Sequence, residues 1–409
     1  MKLLKSFPDR EELLKRYRNQ PNHSVYKVNG HVHTPYSFSS FESIEQAFAL
    51  AVNENVKMLG INDFYVTDGY TSFYENAIKN KVFPLFNVEF IGLLKEAQVN
   101  NIRINDPNNP GRIYFTGKGL KYPFSMDESY QKTLDEVIDE SQVQVKAMIE
   151  KVNKWFLQTD IAIELNYKDV KKAYAKELVR ERHIAKAIRI GVFEKYSEAN
   201  QQVQAFEKMF GKPLKSKLTD NPSLENEIRG NLLKAGGKAF VEENEKSFLG
   251  IDLLIKMIVN AGGIPCYPVL LDDSNGKITE FESDFQHLHD ELLKHNVACI
   301  ELIPNRNDFD VLKKFVQFFN TKGFVVLFGT EHNTPDLIPL TVVTRGNKPL
   351  DDELMTISYE NACVIAAHQY LIAKGAEGYI ASSGLAKMAE KNAHIELGKA
   401  VVDWYLNRL

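Results

Sequence analysis

No uninterrupted apolar run in this chain approaches the roughly 20 residues that a membrane-spanning helix needs, which excludes a helical membrane protein. The first twenty residues carry Lys2 and Lys5 and then alternate acid and base from Asp9 to Arg18, so the apolar centre of a secretory signal is missing too. Cysteine is scarce. Cys266, Cys299 and Cys363 lie far apart, none in a Cys-x-x-Cys pair, each within an apolar stretch. That excludes a disulfide scaffold and reads as reduced core thiols, so a soluble cytosolic protein is expected. Charge of one sign is also lacking. The net charge is −4, and the 50 lysines and arginines are scattered through helix-like segments. No basic groove for duplex nucleic acid and no cationic face for a membrane is implied. Internal repeats and low-complexity tracts are absent.

What is present is ordinary globular material, 44% hydrophobic over 409 residues, enough for one large domain with an insertion or for two domains. Residues 1–21 read as a surface helix behind Pro8-Asp9. From residue 22 short strand-like runs alternate with helical spacing: Val25 to Val28 leading into His31-Val32-His33, a helix from Ser43 to Val52, then Lys57 to Ile61 and Val82 to Phe90. This alternation predicts βα units around a parallel sheet. It stops near residue 95. Residues 96–246 open with a turn-rich stretch, Asn105 to Gly119, and continue as charged helices such as Gln131 to Phe156 and Tyr167 to Ile190. The alternation resumes over 247–409, with strand candidates at Ile264 to Pro268, Asn296 to Ile303, Gly323 to Gly329 and Pro339 to Thr344, and closing helices from Tyr359. The expectation is a discontinuous α/β barrel, 22–95 with 247–409, interrupted by a mostly helical insertion over 96–246.

The chemistry-bearing residues stand where these strands end. His31 and His33 are two apart, so their rings share a face. Pro35 ends that strand. Asp63 and Glu89 end the next two, Tyr267 the one after the insertion, Glu301 lies near the end of the following one, and Glu331-His332 closes the last. In α/β barrels those carboxyl ends form the active-site face. Singly each has a bland reading: a half-exposed strand pair, a turn cap, an ion-pair partner. Together, several carboxylates and imidazoles at one mouth would repel or be badly desolvated unless a cation neutralised them. Zn²⁺, Mn²⁺ and Fe²⁺ accept this mixture of nitrogen and oxygen ligands.

Asn29-Gly30-His31-Val32-His33-Thr34 resembles the opening motif of the PHP superfamily (polymerase and histidinol phosphatase). Leu59 to Phe64 resembles its second motif, an apolar run ending Thr-Asp-His. Asn87-Val88-Glu89 is similar to its Gly-x-Glu, Ala261 to Pro268 to its Ala-Gly-Gly motif ending His-Pro, and Phe328 to Asn333 to its Gly-Ser-Asp-x-His. Arg182 to Ala187, followed by Phe206 to Pro213, is similar to the helical insertion of the branch acting on nucleoside mono- and bisphosphates.

The resemblance implies a distorted (β/α)7 TIM-like barrel. It implies one divalent-metal site, from His31, His33, Glu89 and Glu331 with His332 as a substitute ligand, and room for a second. Phe64, Tyr267 and Asn333 depart from the motif histidines, and Glu331 stands for the motif's aspartate.

The implied activity is a metal-dependent phosphoesterase on a small phosphorylated metabolite or nucleotide, through metal-activated water. Asp63 would accept or donate the proton, and Tyr267 would hydrogen-bond the transferring group. Arg180, Arg182 and Lys118 would neutralise phosphate. The Gly117-Lys118-Gly119 triplet lacks the spacing of a phosphate loop, however, and reads first as an exposed turn. The alternatives are a degenerate barrel serving as a metal- or ligand-binding regulatory protein, and a hydrolase of ester, amide or lactone bonds. His183 reads equally as a ligand or a packed helix residue. His287 and His289 diverge on a helix, and His368 and His394 read as structural. Phe38, Phe41, Phe64, Tyr65 and Tyr70 read as packing first and as a substrate lining second.

Overall fold

In a computed structural model, which describes residues 2–21, 23–272 and 276–408, seven strands form one sheet in chain order: β1 (Lys27–Val32), β2 (Val56–Phe64), β3 (Phe83–Leu93), β4 (Arg112–Lys118), β5 (Ile264–Val269), β6 (Cys299–Leu302) and β7 (Val325–Phe328). The boundary drawn at residue 22 lies outside the described residues. The pairings are parallel except around β4, which is antiparallel to both β3 and β5. The sheet curls until β1 meets the end of β7. There Val32 bridges Glu331, and the His33 amide donates to the Glu331 carbonyl at 2.7 Å. The result is a nearly closed barrel, as the alternating pattern predicts. Strands such as β3 are buried along their whole length, the mark of a sheet covered on both faces.

The helices follow from local signals. Ser43 caps Ile44–Asn53 by accepting from the Gln46 amide, and Asp308 and Asp351 cap Phe309–Thr321 and Asp352–Ala373 in the same way. Among the described residues no helix is long and apolar enough to cross a membrane.

Two sequence expectations need correcting. The run Arg112–Lys118, assigned to the insertion, is a barrel strand, so the helical insertion proper begins with the helix Glu128–Gln158. An antiparallel strand needs no crossover helix, and βα periodicity therefore passes over it. The strand expected at Pro339 to Thr344 shrinks to Val343–Thr344, paired outside the barrel with Lys348–Pro349. The insertion has its own core, with Val152, Phe156, Ile184, Ile188, Phe206 and Leu232 at its centre. Its tip leans over the carboxyl end of the barrel: the Leu178 amide donates to the Tyr36 carbonyl at 3.3 Å.

β1 and β2 approach so closely that a Cβ on Gly60 would stand 2.3 Å from the backbone oxygen of Gly30. Gly60→Ala should therefore cost the ~1–3 kcal/mol of an overpacked core or more, read as a lowered Tm, with no side-chain contact removed. An unchanged Tm would show that the strands can part freely.

Candidate metal centre

β1 and β3 bring three groups together. The Nε2 atoms of His31 and His33 stand 3.2 Å apart, and Glu89 Oε2 lies 3.1 Å from His33 Nε2 and 3.8 Å from His31 Nε2. All three side chains are buried, and Glu89 Oε2 has no hydrogen-bond partner. A buried carboxylate oxygen without a donor, facing two imidazole nitrogens, is a costly arrangement unless a cation completes it. The donor set of two nitrogens and one oxygen fits a divalent ion. Burial, reinforced by Glu331 and Glu301, pushes the Glu89 carboxyl up to about 8 although His31 pulls the other way. Burial also holds His33 down at about 4.

The tautomers are fixed from behind. The Ser37 hydroxyl donates to Asp63 Oδ1 at 2.6 Å, so toward His33 Nδ1, 3.2 Å away, it can only accept. His33 thus carries its proton on Nδ1 and offers the Nε2 lone pair to the site. On His31, Nδ1 lies 3.0 Å from Glu301 Oε2, which places the proton there, and Nε2, 3.8 Å from Glu89 Oε2, accepts from Asn62 Nδ2 at 2.9 Å. Such partners hold ligand rings in position and raise their basicity. Ser37→Ala should lower divalent-metal affinity by roughly 10-fold, within the range of such outer contacts. A titration showing the wild-type affinity would remove Ser37 from this role.

Other expected site residues go elsewhere. Asp63 is no base at the mouth. It sits behind His33, accepting from the Thr34 amide (2.7 Å), the Thr34 hydroxyl (2.6 Å) and Ser37, and burial raises its pKa despite these donors. Tyr267 is turned away. Its hydroxyl donates to Glu282 Oε1 at 2.7 Å in the layer outside the strand. His332 spends both nitrogens, Nδ1 accepting from Thr330 (2.8 Å) and Nε2 donating to the Ile338 carbonyl (2.8 Å), and it stacks on Phe41, so it is no ligand. His183 Nδ1 accepts from the Arg180 amide at 2.9 Å, a helix cap. Glu331 lines the cleft but is ion-paired with Arg306 and stands outside the trio. Arg306, with His31 and His33, holds its carboxyl low although burial opposes this.

The positive groups divide. The Arg180 guanidinium lies 4.6 Å over the Phe64 ring, which in turn stacks on His33 at 4.9 Å, so the insertion does reach the metal centre from above. Arg182 is occupied one layer back, over the Phe38 ring and hydrogen-bonded to Asn226. Lys118 is neither an exposed turn nor a cleft residue. It is fully buried, with Nζ 2.6 Å from Glu301 Oε2 and 3.0 Å from Asn62 Oδ1.

The mouth opens into a cleft of about 580 Å³, reaching from His31, Glu89 and Glu301 to a wall made by the loop between Arg103 and Arg112. Arg103, Arg112, Lys234, Lys277 and Arg306 stand around it. The loop is held by its own side chains: Asp106 accepts from the Asn108 amide (2.9 Å), and Asn105 donates to the Pro268 carbonyl (2.6 Å). Reading that stretch only as a turn-rich start of the insertion missed this wall. The one available signal was its density of asparagine, aspartate and arginine around Pro107 and Pro110.

A family model described as "PHP domain" matches residues 29–213. Among solved structures, a protein of Bifidobacterium adolescentis provisionally named a metal-dependent phosphoesterase aligns over 83% of this chain and 98% of its own, with a TM-score of 0.52 and 14% identity. An amidohydrolase of Chromobacterium violaceum, solved with bound sulfate and no metal, aligns over 81% and 96% with a TM-score of 0.48 and 13% identity. No curated protein sequence matches significantly. Motif residues, barrel and family match agree over one part of the chain: residues 29–213, under half of its length, match the PHP domain.

Proposed function

We propose that the protein is a phosphoesterase that hydrolyses a small anionic metabolite or nucleotide at the mouth of the barrel, with one divalent ion held by His31, His33 and Glu89. The observation carrying this reading is the buried trio with its partnerless Glu89 oxygen, opening on a cleft ringed by arginines and lysines. A divalent ion bound there would polarise a phosphoryl oxygen and lower the pKa of its water toward neutrality.

The chain's own groups do the rest. Asp63 through Ser37, and Glu301 directly, hold the two imidazoles with Nε2 toward the ion. Arg306 keeps Glu331 ionised at the cleft, where that carboxylate can orient the attacking water by accepting its hydrogen. Arg180 on Phe64 closes one side and adds positive charge where a phosphate would lie. Arg103, paired with Glu280, and Arg112, paired with Glu243, stand further along the cleft wall and would orient the remainder of the substrate.

A second reading, a ligand-binding barrel without turnover, is favoured by one observation: Asp63 and Tyr267, the two expected proton carriers, are both engaged away from the cleft. A screen with chromogenic phosphomonoesters and phosphodiesters, nucleotides, sugar phosphates and lactones, with Mn²⁺ or Zn²⁺, separates the two. Turnover of phosphoesters, lost in His31→Ala, is expected. Metal uptake with no turnover across the panel would establish the binding reading, and turnover of lactones alone would replace phosphate as the substrate group.

A further inference from the structure

A lysine with no solvent exposure sits directly beneath the trio. β4 runs against its neighbours, so Arg112, opposite Leu93, lies at the mouth while Lys118 enters from the floor. The Gly119 amide donates to Asn87 Oδ1 at 3.1 Å, one layer below Glu89. From there the Lys118 ammonium reaches up to Glu301 and Asn62. Both oxygens of Glu301 are engaged as a result. Oε2 accepts from Lys118 (2.6 Å) and His31 (3.0 Å), and Oε1 accepts from the Thr116 hydroxyl (2.8 Å). Oε2 is fully used by its two donors, and only Oε1 keeps one acceptor site.

Charge counting decides what this means. Three carboxylates line the inner cleft, Glu89, Glu301 and Glu331, and two cations pair with them, Lys118 and Arg306. Of the three, Glu89 alone has no lysine or arginine partner among the described residues, and a single divalent ion supplies its counter-charge. A second would leave an excess of at least two positive charges in a buried site.

We propose that Lys118 is a built-in cation that takes the place of a second ion: its tethered ammonium neutralises Glu301, keeps that carboxylate on His31, and restricts the chain to one divalent ion. Lys118 is thus a positioning residue, acting on the metal through Glu301 and His31. The inference rests on the metal centre proposed above.

The test is the number of Mn²⁺ and of Zn²⁺ ions bound per chain at saturation, by equilibrium dialysis and metal analysis of the full-length protein. The wild type and Lys118→Arg should bind one. Lys118→Met, which frees the Glu301 oxygens, should bind two, and Lys118→Met combined with Glu301→Gln should return to one. A count of two in the wild type, or of one in a folded Lys118→Met protein, overturns the role of Lys118. If Lys118→Met does not fold, a wild-type or Lys118→Arg count of two still overturns it, and a count of one in both supports it. A wild-type count of zero removes the metal centre itself, a distinguishable failure.

Discussion

His31→Ala should fold normally and lose its divalent ion. Apparent binding energies of complete protein zinc sites are about 10–16 kcal/mol, so removing one ligand from so small a set should cost ~3–4 kcal/mol, roughly a 10³-fold loss of affinity. The fold should tolerate the change. Alanine keeps the Cβ against which Gly329 packs, and Glu301, deprived of its imidazole donor, still has Lys118 and Thr116. Direct titration with Mn²⁺ or Zn²⁺ measures the affinity, and a melting curve without metal reports folding. Any hydrolytic activity should fall at least as far. Wild-type affinity in the variant would mean that the trio is not the binding site.

The second large effect is on pH. Without metal, Glu89 is protonated below about 8 and His33 is neutral above about 4. An ion binding near neutrality must therefore displace the Glu89 proton, whereas His33 has none to give on Nε2. Protons compete with the ion, so affinity weakens as the pH falls. Between pH 6 and pH 8 it should rise about 50-fold, approaching tenfold per unit at the lower end and levelling off above about 8. Glu89→Gln should bind more weakly and lose the slope. Calorimetry in buffers of different ionisation enthalpy should count about one proton released per ion at pH 7. An affinity flat from pH 6 to 8 would place the site elsewhere or require Glu89 to be already ionised.

These predictions depend on residues that differ in how openly the sequence shows them. His31 and His33 are legible because two-residue alternation at a strand end fixes where such groups point, whereas Glu89 lies inside β3, which runs on to Leu93, and reaches the same place by alternation alone. Tyr267 lies within β5, which continues to Val269, and which face it takes depends on register; it falls on the outer one. Glu331 and His332 both have left-handed backbones, with φ of 61° and 56°, so strand alternation does not describe their directions. Lys118 was misplaced because the direction of β4 decides whether its last residue meets the mouth or the floor, and no local pattern records direction. Asp63 has the right address and a different task, since three nearby donors already use its oxygens.

Although the insertion returns at the mouth, where the Leu93 amide donates to the Leu249 carbonyl at 3.0 Å, it leaves from the far end of the barrel, where β4 ends. Its first helix starts there, with the Asp127 amide hydrogen-bonded to Asn260 just before β5, and its 31 residues extend about 46 Å. Leu134 and Val137 pack on the barrel, while Val145 to Phe156 pack in the insertion's own core. The helix is a crane jib. Anchored at the base, it suspends Arg180 and Lys234 above the opening without sharing a strand with the metal ligands. The positive groups above the opening are thus carried by elements separate from the strands that hold the metal ligands, so a substitution in one set need not disturb the other.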